Sequence, residues 1–177
     1  LCWTGLAFAA SKAEPVTFPG QIKEVLAPNS KIRVFYVDPG ENADSLHLYS
    51  LRLAYPNGRV DILDTFWRSA EVSWSPSGEE LFVNDFVGSN VAECLIITPS
   101  GKGTKIRSVT RILSRAHIPE VSEHLKGDHV YITCSNWVSP TQIHVEMHGD
   151  KFPEGFFEHH FTYDLRSRKL AITSPKS

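Results

Sequence analysis

Sulfur is scarce in this chain: among 177 residues there are three cysteines and one methionine. No C-x-x-C pair occurs, which excludes a thioredoxin-like motif and a four-cysteine zinc site. An excess of one charge is lacking too. Lysine and arginine number 18 against 20 acidic residues, for a formal net charge of −2. A protein that binds nucleic-acid backbone carries a strong basic excess, so no nucleic-acid partner is expected. Long hydrophobic runs are also missing. The most apolar stretch, Leu1–Ala10, falls well short of the roughly 20 residues that span a bilayer, so no transmembrane segment is expected. The sequence contains no G-x-S-x-G elbow, phosphate loop, G-x-G-x-x-G, H-E-x-x-H or EF-hand pattern. A serine or glycoside hydrolase therefore has no motif behind it.

What the chain has is a large apolar and aromatic fraction, 41% and 11%, with 11 glycines and 11 prolines. That is the balance of a turn-rich β protein with a real core. Leu1–Ala10 is uncharged and runs into Ala7-Phe8-Ala9 and Ser11-Lys12-Ala13. Small residues at that spacing mark the end of a signal peptide. Residues 1–13 are thus expected to be a signal-peptide remnant, with a first strand or buried helix as the alternative. Residues 14–177 are expected to form a single β-rich domain in the periplasm or outside the cell. Two cysteines then remain, Cys94 and Cys134, each in an apolar strand-like run. An oxidising compartment allows them one disulfide, and two buried free thiols are the alternative.

Short apolar runs bounded by turn residues recur along the chain, as in Ile32–Val37, Leu46–Leu53, Val60–Leu63, Leu81–Phe86, Ala92–Ile97, Val130–Thr133, Ile143–Met147 and Phe157–Tyr163. β-branched and aromatic residues fill them. One short helix is expected near 118–125, with Pro119 in its first turn and Gly127 beyond its end. The fold class is therefore all-β. Three segments align with one another: Val25–Phe35, Val72–Val83 and, more loosely, Leu125–Ile132. Ser30 to Gly78 is 48 residues and Gly78 to Gly127 is 49. A four-stranded unit repeated every 40–50 residues has the period of a propeller blade.

The segment Trp74-Ser75-Pro76-Ser77-Gly78, followed by Leu81-Phe82-Val83, resembles the TolB-type β-propeller repeat, which is related to the propeller of prolyl oligopeptidases. The chain departs from the pattern where Ser77 stands in place of Asp, and the other two copies are degraded. The resemblance implies about three four-stranded propeller-like blades, open or partial, with a β-sandwich as the alternative. It gives Trp74, Pro76 and Gly78 structural roles: packing between blades, ending a strand and shaping a turn. It also implies a non-catalytic binding or scaffold protein that acts through its blade loops on a protein or a cell-envelope component. Three blades are few for a closed ring, and a homodimer is one way to complete it.

Histidine is the anomaly, with seven of the eight lying after residue 116. Alternation in a strand puts His144, Glu146 and His148 on one face. A symmetric hairpin about Gly149–Gly155 pairs His148 with Phe156, Glu146 with Glu158, and His144 with His160. Such a face could hold a divalent transition metal through His144, Glu146, His148, Glu158 and His160, a cation offsetting the two opposed glutamates; otherwise no cofactor is expected. The plainer reading is a solvated hairpin face. Lys102, Lys105, Arg107, Arg111 and Arg115 form a basic run without an acid. With the aromatic loop carrying Phe152 and Phe156, they are candidates for a partner-binding surface, the alternative being a solvated strand face. Trp67 and Trp137 are read as packing residues, and Asp61, Asp64 and Asp85 as lone carboxylates.

Overall fold

The computed structural model describes residues 14–28, 30–40, 47–151 and 155–173. The expected signal-peptide remnant, residues 1–13, lies outside them. Among the described residues there are thirteen strands and two short helices, so the all-β expectation holds. No helix among them is long and apolar enough to cross a membrane.

After β1 (Val16–Phe18), the strands form three antiparallel meanders of four, one after another. The first is β2 (Glu24–Leu26), β3 (Arg33–Val37), β4 (Tyr49–Ala54) and β5 (Val60–Phe66). The middle one is β6 (Ser69–Trp74), β7 (Leu81–Phe86), β8 (Val91–Thr98) and β9 (Lys105–Ser108). Two helices follow, α1 (Val109–Arg115) and α2 (Pro119–His124). The third meander is β10 (His129–Ser139), β11 (Gln142–Lys151), β12 (Gly155–Asp164) and β13 (Lys169–Thr173). β1 extends the middle meander by pairing with β6. A two-residue parallel ladder, Val130 to Val91 and Tyr131 to Ala92, joins the middle and third meanders at their edge.

Strand β7 of the middle meander is buried on both faces, and its sequence says so. Leu81, Phe82, Val83, Asn84 and Asp85 are all buried in succession, as expected of a strand with no solvent face. Alternate side chains go to different cores. Leu81, Val83 and Ile97 pack with Val34, Leu51, Leu53 and Phe66 of the first meander. Phe82, Cys94 and Ile96 pack with Val145, Phe161 and Ile132 of the third, and Val109, Leu113 and Val121 of the helices join this second core.

Repetition is visible in the backbone. The Ala27 N–H donates to the Ile32 carbonyl at 2.8 Å, and forty-eight residues on the Ser75 N–H donates to the Glu80 carbonyl at 2.7 Å. Gly78 has φ +71°, and a Cβ there would collide with the Pro28 carbonyl, so the second turn lies directly on the first. The third copy is not where the alignment put it. Leu125 caps α2 and β10 begins only at His129, so Leu125–Ile132 is a helix-to-strand passage rather than a hairpin. The equivalent hairpin is β10–β11, which turns after Trp137 between Ser139 and Gln142. Trp74 donates its indole N–H to the Val25 carbonyl at 3.2 Å, and Trp137 donates to the Ser73 carbonyl at 3.4 Å. Each tryptophan sits on the first strand of its meander and reaches the first strand of the meander before it.

A second difference is α1. Ser108 caps it by accepting from the Arg111 N–H at 3.2 Å. Arg111 and Arg115 therefore belong to a helix and not to the strand face on which the basic run was read.

Candidate functional site

The three meanders bring their turns to one end, and a groove of about 470 Å³ runs across them. Ile32 contributes from the first meander, Gly78, Glu79, Glu80, Thr98 and Pro99 from the middle one, and Thr141, Leu165 and Arg166 from the third. The floor is fixed by Glu80, whose carboxylate accepts from the Arg107 guanidinium at 2.9 Å and from the Thr98 hydroxyl at 3.0 Å. Ser75 Oγ accepts from the Glu80 N–H at 3.2 Å. Arg107 is thus engaged in an ion pair within the middle meander. Lys102 and Lys105 are exposed. The turn next to them is tied back to the first meander, because Arg59 donates to the Ser100 carbonyl at 2.7 Å and to that of Gly101 at 2.8 Å. Phe156 is exposed at the far end of β12, and Phe152 lies outside the described residues. Arg107 belongs to the middle meander and Phe156 to the third.

The outer face of the third meander carries the histidines. Strand β11 runs on to Lys151 and β12 starts at Gly155, so the register is two residues away from the symmetric one expected. Glu146 lies opposite His160, and His148 opposite Glu158. The physical reason is the centre of the hairpin: Lys151 pairs with Gly155, which places it one residue later than the Gly149–Gly155 loop assumed. A shift of two preserves parity, so all five residues keep the same face. The opposed pair of glutamates does not exist, and the argument that a cation must offset their repulsion goes with it. The His144 and His160 rings instead stack at 5.3 Å with planes 11° apart. Ser135 Oγ lies 2.8 Å from His144 Nδ1, and Glu146 Oε1 lies 3.4 Å from the same nitrogen. Glu158 is 3.2 Å from His160 Nε2. His148 stacks on Tyr131 instead, with centroids 5.0 Å apart.

His159, on the inner face, meets His124 of α2 with 2.8 Å between ring nitrogens. Burial, followed by the neighbouring His124, lowers its pKa. Cys94 and Cys134 form a disulfide with Cα atoms 5.9 Å apart, joining the middle and third meanders. Asn84 clasps the same spot, donating to the Cys134 carbonyl at 3.0 Å and accepting from its N–H at 2.8 Å. The aspartates are not alone. Asp61 accepts from the Thr104 hydroxyl at 2.6 Å and pairs with Arg59 at 3.1 Å. Asp85 lies across the ladder from Glu93. Burial, with Asp64 and then Glu93 adding negative charge, pushes the Asp85 carboxyl up to about 7. Burial also raises Asp64.

Glu80 and Arg166, which meet the groove from different meanders, carried no signal in the sequence beyond the turns they flank. Trp67 is exposed and donates its indole N–H to the Val87 carbonyl. No family model matches the chain, and no curated protein and no solved structure matches it either.

Proposed function

We propose that the protein is a non-catalytic binding protein of the periplasm or extracellular space, built from three propeller-like blades, that holds its partner in the groove over the blade turns. The observation that carries this reading is the groove itself, to which every meander contributes at least one turn. Loops displayed at one end of a rigid β scaffold are where binding residues concentrate. The tryptophan-to-carbonyl bonds between successive meanders are what packing between blades would require, and they support the TolB-type resemblance of Trp74–Gly78. The disulfide fits an oxidising compartment. Glu79 and Arg166 at the rim offer charges of both signs, which suits a protein or a cell-envelope component rather than a polyanion.

The test is site-specific photo-cross-linking in envelope extracts of the source cell. A photoreactive residue at position 79 or 166 is expected to trap a discrete partner. One at Val87, in the connection between β7 and β8 at the opposite end of the strands, is expected to trap none. Adducts from position 87 alone, or no adduct from 79 and 166, would reject the groove as the binding site.

A further inference from the structure

Beyond the groove, we infer that the outer face of the third meander is a zinc-type metal site, with His144, Glu146 and His160 as its protein ligands. The carrying observation is geometric. One ligand atom from each of the three lies within 4.8 Å of the other two. Two imidazoles and one carboxylate are a preferred donor set for zinc, at about 2.0–2.2 Å per ligand. Tetrahedral bonds of that length hold ligand atoms about 3.4 Å apart. The trio therefore needs to close by at most about 1.4 Å, a movement within reach of side-chain rotation.

Backbone geometry makes the convergence specific. Glu146 and His160 are direct partners across the β11–β12 ladder. His144 is two residues before Glu146 on the same strand, so it shares the face and meets His160 on the diagonal. On the inner face of this hairpin Ile143, Val145, Met147 and Phe161 are buried in the core, and that packing fixes which way the three ligands point.

A second feature also points to an electrophile. His160 Nε2 is buried, yet makes no hydrogen bond despite Glu158 standing 3.2 Å away. A buried ring nitrogen without a hydrogen bond is what a metal would satisfy. Ser135, 2.8 Å from His144 Nδ1, is placed to orient that imidazole when the metal takes the other ring nitrogen. Three protein ligands leave a fourth position to water or to a donor group from a partner. His148 and Glu158, which complete the histidine-rich face, are not among the three: His148 is committed to its stack on Tyr131.

The experiment is calorimetric titration of Zn²⁺ into untagged protein purified without metal resin, with far-ultraviolet circular dichroism to check folding. One equivalent is expected per chain, with a melting temperature raised by zinc. His160→Ala and Glu146→Gln are each expected to lower affinity at least about 100-fold, and to abolish the thermal shift while leaving the metal-free melting temperature within a few degrees. His148→Ala is expected to change affinity less than threefold. Glu146→Gln keeps the size of the side chain, so the test survives if the alanine variant fails to fold. Absence of stoichiometric binding by the wild-type protein, or binding that persists in both ligand variants, would overturn the assignment. Neither result bears on partner capture in the groove, which lies at the turns and has its own readout.

Discussion

The middle and third meanders are built alike, with four antiparallel strands opened by a hairpin that carries a tryptophan, yet they meet solvent differently. In the middle one, β7 has no free face. Phe82 turns to one core and Leu81 and Val83 to the other, so nearly every position of β7 is committed to packing. The third has one buried face and one open face, and the open one carries His144, Glu146, His148, Glu158 and His160. The difference shows where this architecture leaves room for chemistry. A strand enclosed by its neighbours is filled mostly by apolar residues, with Asn84 satisfied by the Cys134 backbone and Asp85 keeping one oxygen without a hydrogen bond. The last layer is free to collect ligating side chains without cost to the core.

Three changes would break or sharpen that contrast. The largest effect is expected at the bond between the two layers. Replacing Cys94 and Cys134 together by alanine opens a loop closed across a sequence separation of 40 residues, and should cost about 4 kcal/mol by loop-closure entropy. Urea unfolding with and without reductant measures it, and a reductant effect surviving in the double variant would contradict the assignment.

Next comes Asp85, in the enclosed layer. Its carboxyl rises from 3.8 to about 7 in the folded chain, so the folded state holds this proton where the unfolded state has released it. The resulting stability is complete below pH 4 and is lost as the pH rises through 7. Asp85→Asn, which resembles the protonated form, should therefore stabilise the protein more at pH 8 than at pH 5, by on the order of 1–2 kcal/mol. Thermal melts at the two pH values decide it, and an equal effect at both would remove the carboxyl from the pH response.

The smallest effect tests whether the two junctions are equivalent. Trp74→Phe and Trp137→Phe each remove one indole donor to the preceding layer and should each cost about 1 kcal/mol. A cost confined to Trp74 would mean that the second junction depends on the disulfide and Asn84 instead.

Much of this was legible in the sequence because it is local. Strand positions follow alternation and turn residues, and Trp74–Gly78 marked the hairpin that opens the middle meander. Alternation also assigned the histidines and glutamates to one face correctly, since a shift of two residues leaves parity unchanged. Which residue stood opposite which was not legible, because register depends on where the hairpin is centred, and alternation does not report that. The third repeat was misplaced for a related reason. Gly127 happens to fall 49 residues after Gly78, but the helices interrupt the period and carry the true equivalent on to Trp137. There the motif is also stretched, with Val138 between the tryptophan and Ser139-Pro140. α1 was missed because Val109, Thr110 and Ile112 are β-branched and read as strand. Its cap at Ser108 is a single side-chain bond with no second signal. The groove, the ligand trio and the Asp64–Asp85–Glu93 cluster join residues distant in sequence, and only the stacking of the meanders brings them together.

The disulfide has one further consequence. Cys94 and Cys134 bracket β9, both helices and the start of β10, so the helical segment is a covalently closed excursion between two layers. A protease cut at the Ala116–His117 junction of the helices would yield two fragments on a reducing gel and a single species on a non-reducing one. The nicked molecule would keep its third layer attached, with α1 still joined to the middle layer and α2 to the third.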